Sequence, residues 1–336
     1  MVTTNPTPPS TGATSDRRPA NGDAAASALP ADGHESAPEG ATGTQPSGGP
    51  VAGRPIIHQA RTWKQAVTIG LVAFVVSRLC VLVGAGVRAS QVTVDANTAG
   101  EPRPGSPLSL VTGVFTQWDG LWYLEIVRNG YPRSIPPNIT FHQAEARAAF
   151  FPLYPNLVRV VDLVLPGGDT LAALGINVVL GVLAVVLVGH LARRLYGNDV
   201  AERAMVLFAV FPGSFVLSYA YAEALLIVLA ALCLWFLMDE RWLLAGITAA
   251  LGTAARPNGV ALVAACAVAA GIAIWQKRQW WALVAPALAP IGFVSFQLFL
   301  RLHAGEPWPW FRVQSEAWRE GTSFGATAIS NTISFF

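Results

Sequence analysis

Apolar residues in this chain gather in long runs and do not alternate with polar ones. The first run covers residues 66–87; others cover 170–191, 204–218, 222–238, 242–255, 260–275 and 281–300. About 20 apolar residues in a helix cross a hydrocarbon core of ~30 Å, and only a helix satisfies its own backbone there. The pattern predicts an all-α polytopic membrane protein with about seven transmembrane helices, several of them short. Residues 1–55 read differently, as Pro, Gly, Ala, Ser and Thr with scattered charges. Such a composition buries too little apolar surface to offset the entropy of ordering. The expectation is a disordered cytoplasmic N-terminal segment, 1–55, ahead of a transmembrane domain, 56–336. No apolar stretch of the signal-peptide kind follows Met1.

Charge orients these spans. Arg54, Arg61 and Lys64 precede the first run, which places the N-terminus in the cytoplasm by the positive-inside rule. Arg193, Arg194, Lys277 and Arg278 then fall on the same inner side. Residues 88–168 become a long first external loop. Within it, 148–165 is interrupted by Pro152 and Pro155 and repeats apolar residues at Leu157, Val160, Val161, Val164 and Leu165. That spacing predicts an amphipathic helix lying on the outer interface. The partly apolar run 326–336 ends the chain abruptly, which leaves a C-terminal truncation open.

Composition supports the membrane class and narrows the partners. The chain is 53% hydrophobic and 12% charged, with a mean hydropathy of +0.45; soluble domains carry roughly 25% charged residues. A net charge of +2 gives no basis for a nucleic-acid partner. Cys80, Cys233 and Cys266 each lie inside an apolar run and form no CxxC pair. They are expected to be small buried hydrophobes, not a disulfide or zinc site. The GAGVRA stretch at 84–89 matches a dinucleotide fingerprint but follows no strand, so that reading fails its context. Lysine occurs only at Lys64 and Lys277 beside abundant Arg, Ala and Gly, which suggests a GC-rich bacterial genome; Asn138-Ile139-Thr140 matches a glycosylation sequon, which in a bacterial protein usually carries no meaning. No phosphate-binding P-loop, HExxH or GxSxG is present, so ATP-driven transport and the common hydrolase sites have no support.

Candidate chemistry starts at TQWDGLWYLEIVRNGYP, residues 116–132, where Asp119 stands between Trp118 and Gly120. Aspartate is a favoured N-cap, and 120–129 reads as a short helix with Gly130 as a left-handed C-cap. Glu125 and Arg128 would pair at i,i+3 on it. The competing reading makes Asp119 a general base at the membrane surface. Tyr219, Tyr221 and Glu223 fall in the outer turn after 204–218, Arg256 in the outer turn after 242–255, and Arg301 and His303 after the last span. The topology gathers all of these on one face. Arg256 precedes Pro257 and Gly259 at a broken helix junction, where its fork of donors suits a phosphate. Arg78, inside the first span, requires a partner, an acid or a lipid phosphate.

Four segments, QWDGLWYLEIVRNGYP, FFPLYPNLVRVV, FPGSFVLSYAYAEALL and RWLLAGITAALGTAARPNG, occur in this order and spacing. Together they resemble the PIG-V-like mannosyltransferases of the GT-C class over about residues 66–320. The resemblance implies a GT-C-like helical bundle in the plasma membrane, active on its external face. It implies polyprenyl-phosphate mannose as donor and a glycan, glycolipid or protein as acceptor. It makes Asp119 the catalytic base and maps the family's further motifs onto Tyr219, Tyr221, Glu223 and Arg256 as substrate contacts. The donor phosphate needs an arginine, for which Arg256 or Arg78 could serve, and Trp118 is a further candidate substrate contact. No dissociable cofactor and no protein metal ligand are implied, and dependence on a divalent metal stays open. A lipid-linked donor accords with the lack of a nucleotide-binding loop, and a single displacement would invert the anomeric centre. Alternatives are a GT-C transferase for another lipid-linked sugar, a membrane transporter or lipid flippase, and a scaffold that has lost its chemistry. A transporter would place charges near the bilayer midplane and show repeated halves; no internal repeat is visible.

Overall fold

The computed structural model describes residues 61–102, 105–318 and 326–335; the expected disordered segment 1–55 lies outside them. Helix α1 (Trp63–Thr98) opens on a capping box between Thr62 and Gln65. Its 36 residues make a rod of about 54 Å at 1.5 Å per residue. The helix therefore continues past residue 88, where the external loop was expected to begin, and the GAGVRA stretch is simply its middle. Val72, Val75, Val76, Leu79 and Val83 are exposed along it, as on a face turned to lipid.

Next come α2 (Pro107–Phe115), capped by Ser106, and α3 (Asp119–Asn129), which ends at Gly130 with a φ of 67°. After a 3-10 turn at Ala144–Ala149, α4 (Leu153–Asp162) is shorter than the expected 148–165. Tyr154 and Val158 are buried on α4, while Val160, Leu163 and Val164 stay exposed, leaving an apolar side free for a membrane interface. The remaining helices are α5 (Gly168–Tyr196), α6 (Asn198–Val210), α7 (Glu223–Met238), α8 (Trp242–Ala255), α9 (Val260–Lys277), α10 (Val284–Leu288), α11 (Ile291–Ala304), α12 (Pro309–Glu316) and α13 (Ala326–Phe335). All elements among the described residues are helical, so the protein is an all-α polytopic membrane protein.

The span count departs from expectation. Four helical stretches are long and apolar enough to cross a membrane: Trp63–Thr98, Gly168–Tyr196, Pro257–Lys277 and Trp280–Ala304. A fifth arises if α6 and the 3-10 turn Pro212–Ser218, bent by 74° from it, form one broken span. The runs expected at 222–238 and 242–255 appear as α7 and α8, of 16 and 14 residues. At 1.5 Å per residue they reach only about 24 and 21 Å, so length alone does not carry the count to seven.

Arg78 holds the bend after α6. Pro212 has no N–H to continue the helix, and the freed acceptors need donors. The Arg78 guanidinium donates to Ser214 O (2.6 Å), Ser214 Oγ (2.8 Å), Ser218 Oγ (3.0 Å) and Ala209 O (3.4 Å), and lies 5.0 Å above the Phe74 ring. Its protein partners are carbonyls and hydroxyls, and no acid side chain pairs with it among the described residues. Of the cysteines, Cys233 and Cys266 are buried with their sulfurs 3.8 Å apart, but Cys80 is exposed. The expectation of three buried thiols fails there because Cys80 lies on the uncovered face of α1.

Small residues set the helix separations, as in other membrane bundles. α5 packs on α1, α6 and α7; α8 packs on α7, α9, α10 and α11. A Cβ on Gly292 of α11 would lie 2.0 Å from Ala250 O and 2.7 Å from Ala254 N, both backbone atoms of α8. Gly292→Ala is therefore expected to force α11 off α8, at the ~1–3 kcal/mol typical of overpacking or more. The apparent melting temperature in detergent should fall by several degrees, while Gly84→Ala, with nothing within 4 Å of the added carbon, should leave it unchanged. Equal melting temperatures would refute the close α8–α11 contact.

Candidate functional site

Three interruptions of helical structure meet at one point. One is the turn between α2 and α3, the second is the segment 219–222 ahead of α7, and the third is the junction 256–259 between α8 and α9. Asp119 is the first residue of α3, Glu223 the first of α7, and Arg256 directly follows α8. Because α7 starts and α8 ends here, the two helices present Glu223 and Arg256 from the same end. Arg256 Nη1 lies 2.8 Å from Glu223 Oε1 and 3.3 Å from Asp119 Oδ2. One guanidinium nitrogen thus bridges two carboxylates, leaving the trio with a formal charge of −1. Their side chains are 20–29% exposed, so water still reaches them. Glu223 Oε2 is buried without a hydrogen-bond partner among the described residues.

This geometry answers the question of Asp119. It is not the cap of α3; that position belongs to Trp118, and no side chain caps the helix. The carboxylate is turned to Arg256 instead. Trp118 has φ 53° and ψ −119°, a conformation that costs a non-glycine residue about 1–3 kcal/mol. It buys the abrupt start of α3, with Gly120 N–H and Leu121 N–H bonded to Gln117 O and Trp118 O. The Trp118 ring is 61% exposed yet stacks on Tyr219 at 5.8 Å and 24°. Tyr219 also meets Phe115, Phe215 and Tyr221 at 5.3–5.6 Å. An exposed aromatic face beside carboxylates is a surface that suits a sugar, apolar on its C–H face and polar at its hydroxyls.

Two tyrosines complete the wall. Tyr221, one of the expected contacts, donates from its hydroxyl to Gln117 O at 3.3 Å. Burial, and then the charge of Asp119, push its phenol far above the ordinary value. Tyr123 escaped the sequence reading, although it stands one helical turn after Asp119. It is 2% exposed, packs edge-on to Phe150 and Tyr154, and reaches Arg256. Burial raises its pKa strongly, against the opposing pull of Arg256. Both phenols therefore stay protonated at neutral pH: Tyr221 donates to Gln117 O, while the Tyr123 oxygen accepts from Arg256.

Of the sequence-predicted residues, Asp119, Glu223, Arg256, Tyr219, Tyr221 and Trp118 come together here. Arg78 does not join them; its hydrogen bonds hold the bend after α6. Arg301 is exposed on α11, and His303 Nε2 lies 3.3 Å from Tyr131 O. His303 instead lines a cavity of about 620 Å³ with Arg133, Asn156, Arg159, Phe296 and Phe299. The cavity also touches Ala254 and the C-terminal half of α3 from Ile126 on; Asp119, Glu223 and Arg256 are not part of its lining. The expected Glu125–Arg128 pair is not formed. Arg128 reaches across to Asp169 (Nη2 to Oδ1, 3.0 Å), and Glu125 accepts from Asn129 at 2.8 Å.

Residues 152–301 match the family described as dolichyl-phosphate-mannose-protein mannosyltransferase. The match covers Tyr219, Tyr221, Glu223 and Arg256 but less than half of the chain, and it stops short of Asp119 and Trp118. No curated protein and no solved structure matches. The likeness supports a membrane glycosyltransferase of the GT-C type, of a mannosyltransferase family.

Removing one member of a paired, largely buried charge set leaves the others uncompensated. Arg256→Met should therefore lower the apparent melting temperature by about 5 °C or more. Arg133→Met, at an exposed arginine with no hydrogen bond or ion pair among the described residues, should change it little. Equal effects would show that the Arg256 bridge contributes nothing to stability.

Proposed function

We propose that this chain is an inverting GT-C mannosyltransferase that moves mannose from a polyprenyl-phosphate donor to an acceptor hydroxyl. The observation that carries this reading is Arg256 shared between Asp119 and Glu223 beside the exposed Trp118 ring. Asp119 accepts the acceptor's proton as the hydroxyl oxygen bonds to the sugar's anomeric carbon. The bond from that carbon to the phosphate oxygen breaks, and the lipid phosphate leaves with the electron pair. Such proton transfer is worth about 10²–10⁴ in rate. Arg256 spends Nη1 on the two carboxylates; its other N–H groups face Tyr123 and, in this reading, the donor phosphate. Tyr219 and Trp118 supply the stacking surface, and Tyr221 the wall beside it.

A second assignment has its own support. Glu223 Oε2 is buried and unpartnered, so Glu223 is the alternative base, with Asp119 orienting Arg256. The lack of nucleotide-binding motifs and the apolar surroundings both favour a lipid-linked donor; the identity of the sugar rests on the family likeness and the PIG-V-like resemblance. We place the protein in the plasma membrane with its N-terminus in the cytoplasm and the carboxylates outside, from the positive charges before α1 and after α5.

Labelled mannose transfer from polyprenyl-phosphate mannose, in membranes holding equal amounts of folded protein, tests the chemistry. Asp119→Asn should lower transfer by ~100-fold or more if it is the base, while Glu223→Gln leaves more activity. The reverse order would make Glu223 the base. Transfer only from another lipid-linked sugar would retire mannose, and uptake without transfer would favour a carrier. Reporter fusions test the orientation: a fusion at residue 140 should report the outside and one at residue 195 the cytoplasm. A cytoplasmic signal at 140 would put the carboxylates on the wrong side for this model.

A further inference from the structure

Asn177 sits in the middle of α5, within the apolar run GINVVLGVL, and is 0% exposed. A helix satisfies its own backbone, so α5 has no need of this amide. Burying an amide without partners costs about 1–3 kcal/mol by protein mutational data. Its Nδ2 donates to two carbonyls, Tyr219 O and Tyr221 O, the latter at 2.9 Å. Both belong to the unwound segment ahead of α7, where the backbone has no helical partners. The N–H between them, on Ala220, donates to Phe115 O at 2.9 Å.

Segment 219–221 is thus a strap fastened on two sides. Asn177 fastens it to α5. Ala220 N–H and the Tyr221 hydroxyl fasten it to the 115–117 turn that delivers Asp119. Glu223 follows two residues after the strap. Gly120 closes against the same point, since a Cβ on it would lie 3.5 Å from the Ala220 Cβ. The separation of Asp119 from Glu223, and so the shape of the gap that Arg256 bridges, follows from where the strap is held.

We propose that Asn177 is a positioning residue: by holding the carbonyls of Tyr219 and Tyr221 it sets the register of Glu223 against Asp119 and Arg256. It touches none of the three. Its kinetic consequence rests on the transferase reading above, but its geometric consequence does not, and the test separates the two.

The variant is Asn177→Leu, similar in volume and without donors. In a background carrying Cys80→Ala, Cys233→Ala and Cys266→Ala, the pair Gly120→Cys and Ala220→Cys reports the docked strap. A Cβ separation of 3.5 Å lies at the short edge of the usual disulfide range of about 3.5–4.5 Å. With Asn177 present, copper–phenanthroline oxidation should cross-link the pair rapidly. Asn177→Leu should slow it about 10-fold in protein that still elutes as a folded species. Without the engineered cysteines, the same substitution should lower kcat at least ~10-fold with donor KM within ~3-fold. In a Glu223→Gln background it should cost little more, because the two act through one element. Asn177→Ser, which keeps one donor, should recover part of both losses and serves in its place if the leucine variant does not fold. Unchanged cross-linking together with unchanged kcat per folded molecule would overturn the proposal, as would a loss of melting temperature alone. Slowed cross-linking in a protein whose parent transfers no sugar from mannose or any other lipid-linked donor would uphold the positioning role and refute the transferase reading. A parent that loses transfer on Asp119→Asn, with Asn177→Leu changing neither readout, would do the opposite.

Discussion

A helix interrupted in an apolar surrounding must find partners for the backbone groups that the interruption releases. The rest of this molecule is organised around that constraint. After α6, Arg78 answers the carbonyls of Ala209 and Ser214. Ahead of α7, Asn177 answers those of Tyr219 and Tyr221, and Phe115 O takes the N–H of Ala220. At the third interruption the chain passes so close to α8 that a Cβ on Gly259 would meet Gly252 O at 2.3 Å. The break ahead of α7, the junction at 256–259 and the turn that starts α3 meet at the gap where the two carboxylates and Arg256 face one another.

Electrostatics then decides what that gap can hold. Two acids close together destabilise each other unless a cation stands between them, and Arg256 occupies that place. The remaining charge of −1 favours taking up a proton or a positively polarised centre, which is what an acceptor hydroxyl and an anomeric carbon present. Tyr123 and Tyr221 cannot compete for that proton, because burial keeps both phenols neutral. Aromatic stacking between Trp118 and Tyr219 helps to hold the costly backbone of Trp118, and that backbone aims Asp119 at Arg256. Strain, stacking and charge pairing therefore act on one short turn.

The family likeness begins at residue 152 and ends at residue 301, so it includes Glu223 and Arg256 and leaves Asp119 to geometry. That division is physically sensible. Glu223 and Arg256 are fixed at the ends of packed helices, α7 and α8, whereas Asp119 is carried by a short helix on a loop. Rigid helices supply Glu223 and Arg256, and the turn ahead of α3 supplies Asp119.

Local properties of the chain were legible in its sequence. Apolar runs announced the helices because burial in lipid depends on composition over some 20 residues. The bounds of α3 were readable to within one residue, with Gly130 taking the positive φ that its position requires. The gathering of Tyr219, Tyr221, Glu223 and Arg256 at one end of the bundle followed from counting turns. The sequence missed whatever depends on partners far along the chain. Spacing paired Arg128 with Glu125, but packing gave it Asp169, 41 residues away. Spacing made Asp119 a cap, but packing brought Arg256 to it across 137 residues. Tyr123 looked like one more aromatic, and Asn177 passed as part of an apolar run. A side chain's neighbours along a helix are set by periodicity, which the sequence displays. Its neighbours across helices are set by how closely small residues let those helices approach and by where their breaks fall, and only the folded chain brings these together.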